Sequence, residues 1–317
     1  MYGLKQDWAL EPRLRHFVIE DYQGLTARWC PGCGDHSVLG AVQRLCRDLQ
    51  LAPEKTVVVS GIGCSSRFPH YMNTYGFHGL HGRAMPVACG VRARRPDLNI
   101  FTVTGDGDCC AIGTAHWIHA VRYNMKMTVL LLDNNIYGLT KMQTSPTTGR
   151  GQFSNTHPGG APLSPLNPLS VMLGITNCSF VAQTVDWNPG HLMATLRKAF
   201  DHDGFAFVRI RQRCPHYMPK VWDELIKDPS KLLLLQHPEG IPTDDAVERV
   251  LSNRVEHDPT DYLRAHELAA RDDVVPVGLI YKNPNAERYD LYAQKGLEMS
   301  PEERVAAINR ELDRFTV

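Results

Sequence analysis

Gly105-Asp106-Gly107-Asp108 and Asn134-Asn135 are the residues whose types and placement do most to suggest chemistry. The first group follows an apolar, strand-like run, Ile100 to Thr104, and Asn134 follows another, Met127 to Leu132. If these runs are parallel strands joined by a crossover helix, both groups arrive at one edge of a sheet. There the Asp106 carboxylate and the Asn134 side-chain oxygen can hold one hard cation, and glycine lets backbone N–H groups approach a phosphate. A turn with a capping aspartate is the other reading of Gly-Asp-Gly alone. Cysteines form the second group. Cys30-Pro31-Gly32-Cys33 is a Cys-x-x-Cys pair in a tight turn, Cys64 follows the run Thr56 to Val59, and Cys214 follows Phe205 to Ile210. Thiolates on loops at strand ends can enclose an iron–sulfur cluster or a zinc ion, and a Cys-x-x-Cys pair by itself serves zinc, redox dithiols and clusters alike.

Alternating elements have to carry these groups. Asp35 to Leu49 has helical spacing of Leu39, Val42, Leu45, Cys46 and Leu49, with Asp35 or Ser37 as possible caps. Val57 to Ser60 reads as a strand, Gly82 to Arg94 as a helix of small residues, Ile100 to Thr104 as a strand, Ala111 to Arg122 as the crossover helix and Met127 to Asp133 as a strand. Thr144 to Pro168, rich in Pro, Gly, Ser and Thr, reads as a long loop of the kind that covers a site. Ser179 to Ala182, Pro189 to Phe200 and Phe205 to Ile210 complete the alternation as strand, helix and strand. The pattern predicts a doubly wound α/β fold with a mostly parallel sheet. Residues 1–28 read as an N-terminal arm, 29–238 as the binding domain, and 239–317 as a C-terminal extension that wraps the body or a partner. Cys46, Cys89 and Cys178 sit in apolar contexts and read as core, as do Cys109 and Cys110 at a helix start.

Composition narrows the classes. Lys plus Arg and Asp plus Glu number 34 each, so no charge excess argues for nucleic acid or an acidic membrane surface. No apolar run approaches the roughly 20 residues needed to span a bilayer. Met1 to Leu10 carries Lys5 and Asp7 and lacks the apolar centre of a signal peptide. With nine cysteines in such a chain, reduced thiols or metal ligation are expected over a disulfide framework, and a cytoplasmic location follows.

The spacing from Gly-Asp-Gly to Asn resembles the thiamine diphosphate signature. Trp29-Cys30-Pro31-Gly32-Cys33-Gly34, Gly61-Ile62-Gly63-Cys64-Ser65, His81-Gly82-Arg83-Ala84, Gly105-Asp106-Gly107-Asp108 and Asp133-Asn134-Asn135-Ile136-Tyr137-Gly138-Leu139-Thr140 occur in order. Over roughly residues 15 to 235 the chain resembles the β subunits of 2-oxoacid:ferredoxin oxidoreductases, most of all those acting on 2-oxoglutarate. The resemblance implies a fold of the thiamine diphosphate-binding type. It implies Mg²⁺ on Asp106, Asn134 and the Ile136 carbonyl, and one [4Fe–4S] cluster on Cys30, Cys33, Cys64 and Cys214. It implies thiamine diphosphate against Ile62, Gly63, Cys64, Ser65, His81, Gly82, Arg83, Ala84, Gly105, Gly107, Asp108, Gly138 and Leu139. His81 is a candidate for hydrogen bonding a phosphate or reacting group, and Arg67 and Lys141 for holding substrate carboxylates. As a lone His and as surface cations, these three have bland readings too.

The implied reaction is oxidative decarboxylation of 2-oxoglutarate with coenzyme A to succinyl-CoA and CO₂, with electrons passing singly through the cluster to ferredoxin. It is reversible in principle. No glutamate that would activate the thiamine aminopyrimidine is assignable, so the resemblance implies an obligate α subunit and an α₂β₂ assembly. Three alternatives remain at this level: the same chemistry on pyruvate or another 2-oxoacid, a non-redox thiamine enzyme with structural zinc, and a zinc-stabilised binding module.

Overall fold

The apolar runs that end in the motif residues are inner strands of a nine-stranded sheet. The computed structural model describes residues 16–294 and 299–315, so residues 1–15 of the expected arm lie outside the described part. In chain order the elements are α1 (Gly34–Asp48), β1 (Thr56–Ser60), β2 (Tyr75–His78), α2 (Ala84–Arg94), β3 (Asn99–Gly105), α3 (Thr114–Tyr123), β4 (Met127–Asp133), α4 (Pro168–Leu173), β5 (Phe180–Val185) and α5 (Pro189–Asp201). They continue as β6 (Phe205–Arg211), α6 (Asp223–Lys227), β7 (Leu232–Gln236), α7 (Asp245–Val250), β8 (Arg254–Glu256), α8 (Tyr262–Ala269), β9 (Val275–Lys282), α9 (Tyr289–Gln294) and α10 (Pro301–Asp313). The sheet order is β2-β1-β3-β4-β6-β5-β9-β7-β8. Neighbours are parallel except β5 and β9, which pair antiparallel.

The inner strands are apolar along their whole length because both faces are covered, as parallel sheets require. Every residue of β4 is buried, and the strand's period of two divides it. Leu130 and Leu132 join the α1 and α5 layer, with Val58, Phe101, Val103, Val208 and Ile210. Val129 and Leu131 join Trp117 of α3 and Met172 of α4, with Val57, Val59, Ile100 and Phe207. A third cluster under β7 contains Trp222, Leu232, Leu234, Val247 and Val277.

Several boundaries differ from the sequence expectation. Asp35 does not cap α1; Cys33 is the cap residue and the Asp35 side chain is buried. The crossover begins as a π-helical turn, Asp108–Ile112, before α3. The long loop closes into α4, whose cap Asn167 accepts the Leu169 N–H. β2 went unread because all four residues of this edge strand are exposed. Residues after 238 supply β8 and β9 to the same sheet, so the expected extension is interleaved with the body through β9 beside β5. No described helix is long and apolar enough to cross a membrane.

Candidate cofactor and metal site

Parallel register brings the motifs together. β1, β3, β4 and β6 all run the same way, so Gly61, Asp106, Asn134 and Gln212 begin the loops at one edge. A cavity of about 150 Å³ opens there. Ile62, Gly63, Cys64, Ser65, His81, Gly105 to Asp108, Asn134 and Ile136 to Thr140 line it. Two glycines are required sterically. A Cβ on Gly107 would meet the Tyr137 ring at 2.2 Å, and Gly63 holds φ +138°. Tyr137 fixes this contact by donating its hydroxyl to the Gly107 carbonyl at 2.9 Å.

Asp106 is 2% exposed. Burial, followed by the charge of Asp133, pushes its carboxyl up to about 7. Ser145 and Thr147 donate to its Oδ2 at 2.5 and 2.6 Å. Burial also opposes ionisation of Asp133, but Arg209 and Arg211 outweigh it and hold that carboxyl below the usual range. Arg209 reaches Asp133 at 2.7 and 2.6 Å. Asn134 turns its side-chain oxygen onto the Ile136 N–H at 3.1 Å, which folds Asn134, Asn135 and Ile136 into a tight Asx turn. A carboxylate, an amide oxygen and backbone carbonyls make the hard-oxygen donor set that suits Mg²⁺. The buried Asp106 carboxyl lacks a full counter-charge, so a divalent cation fits the electrostatics.

Asp108 lines the cavity and also ties the surrounding loops together. Its Oδ1 accepts the Ile62 N–H at 3.0 Å and the Gly82 N–H at 2.7 Å, and lies 2.6 Å from His81 Nδ1. Its Oδ2 accepts from Thr104 at 2.7 Å. Both oxygens are spent inside the chain, tying the 60s and 80s loops to the end of β3. His81 is thereby fixed through Nδ1 at the cavity wall. Gly82, Arg83 and Ala84 do not line the cavity. Gly82 has φ +70° and lies so close to Gly113 that a Cβ would stand 2.6 Å from its nitrogen, while Ala84 starts α2.

The cysteines sit beside this cavity. Gly32, at φ +77°, closes the Cys-x-x-Cys turn, with the Cys33 N–H bonded to the Cys30 carbonyl at 3.1 Å. Trp29 Nε1 donates to the Cys64 carbonyl at 2.6 Å, joining that turn to the next loop. Gly34 N–H donates to the Arg213 carbonyl at 3.0 Å, and Gln212 Nε2 reaches Cys33 Sγ at 3.2 Å. Asp186 holds Arg213 through its N–H and guanidinium, each at 2.9 Å. Gly138 lies between two of the thiols: a Cβ there would stand 3.4 Å from Cys64 Sγ and 4.0 Å from Cys214 Sγ. Burial, then the charges of Asp35 and the neighbouring thiols, raises Cys64 to about 12. Burial, then Asp35, also raises Cys33. Burial raises Cys214, with backbone hydrogen bonds opposing it. Among the described residues no group of three or more His, Cys, Asp or Glu is gathered at metal-holding distance. Thiols that penalise one another as anions nevertheless suit a cationic iron or zinc centre. Cys30 is exposed, whereas Cys33 and Cys214 are buried.

Arg67 and Lys141 do not line the cavity. The Arg67 guanidinium lies 5.7 Å from the Tyr71 ring centre, in a groove with Arg28 and His70. Lys141 is exposed and holds φ +74°. Cys46 and Cys178 are buried in the core clusters, as expected. The sequence reading passes over Ser145, Thr147 and Thr148, and gives Asp133 and Tyr137 no role beyond their place in the Asn motif. Hydroxyls clustered in Ser145-Pro146-Thr147-Thr148, just after the Asn motif, were the available signal.

The sheet, the glycine-lined cavity and the Asp–Asn pair define a thiamine-dependent class of binding domain. Residues 61–210 match the family model "Thiamine pyrophosphate enzyme, C-terminal TPP binding domain". Residues 247–295 match the family model for the C-terminal part of the pyruvate ferredoxin oxidoreductase beta chain. The chain is 37% identical over 262 residues to subunit beta of 2-oxoacid:ferredoxin oxidoreductase 1 from Aeropyrum pernix, covering 83% of this chain and 80% of that one. It is 44% identical over 215 residues to 2-oxoglutarate oxidoreductase subunit KorB of Mycobacterium tuberculosis, covering 68% of this chain but only 57% of that relative's length. Among solved structures it resembles a 2-oxoglutarate:ferredoxin oxidoreductase from Magnetococcus marinus with 2-oxoglutarate, coenzyme A and succinyl-CoA bound. That likeness has a TM-score of 0.77 and 35% identity, and covers 93% of this chain and 97% of the other. The chain belongs to the β subunits of the 2-oxoacid:ferredoxin oxidoreductases.

Proposed function

We propose that this chain is the thiamine- and cluster-bearing subunit of an enzyme that oxidatively decarboxylates 2-oxoglutarate with coenzyme A and reduces ferredoxin. The observation that carries the reading is the shared wall at Cys64, which lines the cavity and also stands with Cys214 against Gly138. Asp106, Asn134 and the Ile136 carbonyl would hold Mg²⁺ and through it the diphosphate. Cys30, Cys33, Cys64 and Cys214 would hold one [4Fe–4S] cluster. When bound, thiamine diphosphate supplies an electron sink for decarboxylation and the cluster accepts electrons one at a time. The protein's own part is to orient and to insulate. Glycines admit the diphosphate, His81 presents its ring at the wall, and Tyr137 packs against Gly107. Exposure of Cys30 supports an electron exit at the surface toward ferredoxin.

A cavity of about 150 Å³ is smaller than the roughly 300–1,000 Å³ of a pocket that encloses a whole cofactor-sized ligand. This supports a site completed by an α subunit in an α₂β₂ assembly. Arg67 is assigned to a substrate carboxylate, for which it must leave the face of Tyr71; Lys141 is a second such cation. The same chemistry on pyruvate is the competing reading. Anaerobic purification with the co-expressed partner tests both. A brown complex with iron and acid-labile sulfide should reduce ferredoxin with 2-oxoglutarate and coenzyme A. A colourless zinc protein would overturn the redox reading, and faster turnover of pyruvate would overturn the substrate.

A further inference from the structure

The long loop contains a device that acts on Asp106. Thr144-Ser145-Pro146-Thr147-Thr148 forms a turn closed on itself: Ser145 N–H donates to Thr148 Oγ1 at 2.8 Å and Thr148 N–H to the Ser145 carbonyl at 3.2 Å. Ser145, Thr147 and Thr148 are each 2–3% exposed. From this turn two hydroxyls converge on a single atom, Asp106 Oδ2. Thr147 Oγ1 also lies 2.9 Å from Asp133 Oδ1, on the carboxylate that Arg209 anchors. Thr148 donates to the Asn135 carbonyl at 2.6 Å, in the turn that follows Asn134. One turn therefore holds the Asp106 carboxylate and the backbone at Asn135, next to Asn134. Two donors on one oxygen fix the plane of the carboxylate and leave Oδ1 outside the clamp. Mg²⁺ needs short, near-octahedral bonds, whereas Ca²⁺ tolerates longer and irregular ones, so a fixed carboxylate favours the smaller ion.

We propose that Ser145 and Thr147 are positioning residues that lock Asp106 into the geometry selecting Mg²⁺ for the diphosphate site. The proposal rests on the reading of Asp106 as a cation ligand. The test is calorimetric binding of thiamine diphosphate to the assembled, cofactor-stripped complex with Mg²⁺ or with Ca²⁺. Removing partners that orient a metal ligand lowers affinity by about 10- to 100-fold, so Thr147→Val and Ser145→Ala should each weaken Mg²⁺-dependent binding at least about tenfold. Thr147→Ser keeps the hydroxyl and should stay within about threefold of wild type. The preference for Mg²⁺ over Ca²⁺ should narrow in Thr147→Val. Wild-type affinity in Thr147→Val would overturn the proposal. So would equal losses in the Val and Ser variants, or an unchanged Mg²⁺ to Ca²⁺ ratio, since packing alone explains those. Asp106→Asn separates the two levels. If it leaves binding intact, the cation site itself falls; if it abolishes binding while Thr147→Val does not, only the clamp falls.

Discussion

Two cavities of similar size lie near opposite ends of the same strands, and they differ in how their polar groups are satisfied. The one beside the N-terminal ends of β3 and β4, about 180 Å³, is lined by Arg92, Asp97, Lys126 and His202 among others. Each of these charged or polar groups already has partners. Arg92 donates to the carbonyls of Lys126, Pro96 and Leu98 at 2.6–2.8 Å. Asp97 pairs with Lys55 and Arg95, Lys126 with Asp203, and His202 Nε2 lies 2.9 Å from Ser179 Oγ. At the opposite end the Asp106 carboxyl is pushed up to about 7, and burial followed by the charge of Asp186 raises buried Asp35, beside the Cys33 thiol, to about 7 as well. Volume is thus a poor marker of function in this fold. Unmet electrostatic demand beside a cavity separates a site that awaits a ligand from a gap in the packing.

That comparison breaks most sharply at the thiols. Replacing Cys30, Cys33, Cys64 or Cys214 with Ala should remove the cluster iron, while Cys46→Ala and Cys178→Ala should retain it; a full iron complement in Cys214→Ala would end the assignment. At the N-terminal end the largest effect should be on stability. Arg92→Met leaves three carbonyls without their donor and should cost about 3 kcal/mol, read as a lower thermal midpoint. Its affinity for thiamine diphosphate should not change, and a loss there would mean that the two ends are coupled. Asn124, in the left-handed region at φ 47°, accepts from Ser179 Oγ and the Phe205 N–H at 2.6 and 2.7 Å. Asn124→Ala should cost about 2 kcal/mol by the same measurement, again without touching cofactor affinity.

Much of the positioning was legible from the chain. Gly-Asp-Gly and Asn134 were placed at strand ends because apolar runs buried on both faces are unambiguous, and β1, β3, β4 and β6 stand where those runs predict. The parallel register then brings the motifs to one edge. What could not be read depends on contacts distant in sequence. Asp108 reads as a contact of the diphosphate, and only the fold shows that its carboxylate oxygens also bind Ile62, Gly82, His81 and Thr104. Ser145 and Thr147 sit in a segment whose composition says loop, and hydroxyl spacing carries no direction. β2 has no buried face to impose alternation, and the strands after residue 238 are separated by polar, turn-rich sequence.

His191 sharpens the comparison from the other side, as an orphaned group without a cavity. It is fully buried on α5; Nδ1 lies 2.8 Å from Thr184 Oγ1, and Nε2 has no partner. It lines neither of the compared cavities. Burial lowers its pKa from 6.5 to about 4. Between those values the unfolded chain binds a proton that the folded chain refuses. The contribution to stability is therefore complete above about pH 6.5 and is lost as pH falls toward 4. Between pH 7.5 and 5.5 this amounts to about 1 kcal/mol. His202, which burial also lowers to about 4, adds a loss of the same sign. His191→Gln cannot titrate, so the difference in thermal midpoint between wild type and variant should shift by the equivalent of about 1 kcal/mol between pH 7.5 and 5.5, while the other groups, His202 and the raised Asp106 carboxyl among them, titrate in both proteins and cancel. Thiamine diphosphate affinity should be identical in the two proteins at each pH. Parallel midpoint curves would show that His191 takes up its proton as readily in the fold as in the unfolded chain. A pH-dependent difference in cofactor affinity would show that an unmet polar group reaches the site without a cavity between them, and the distinction drawn from the two ends of the sheet would fail.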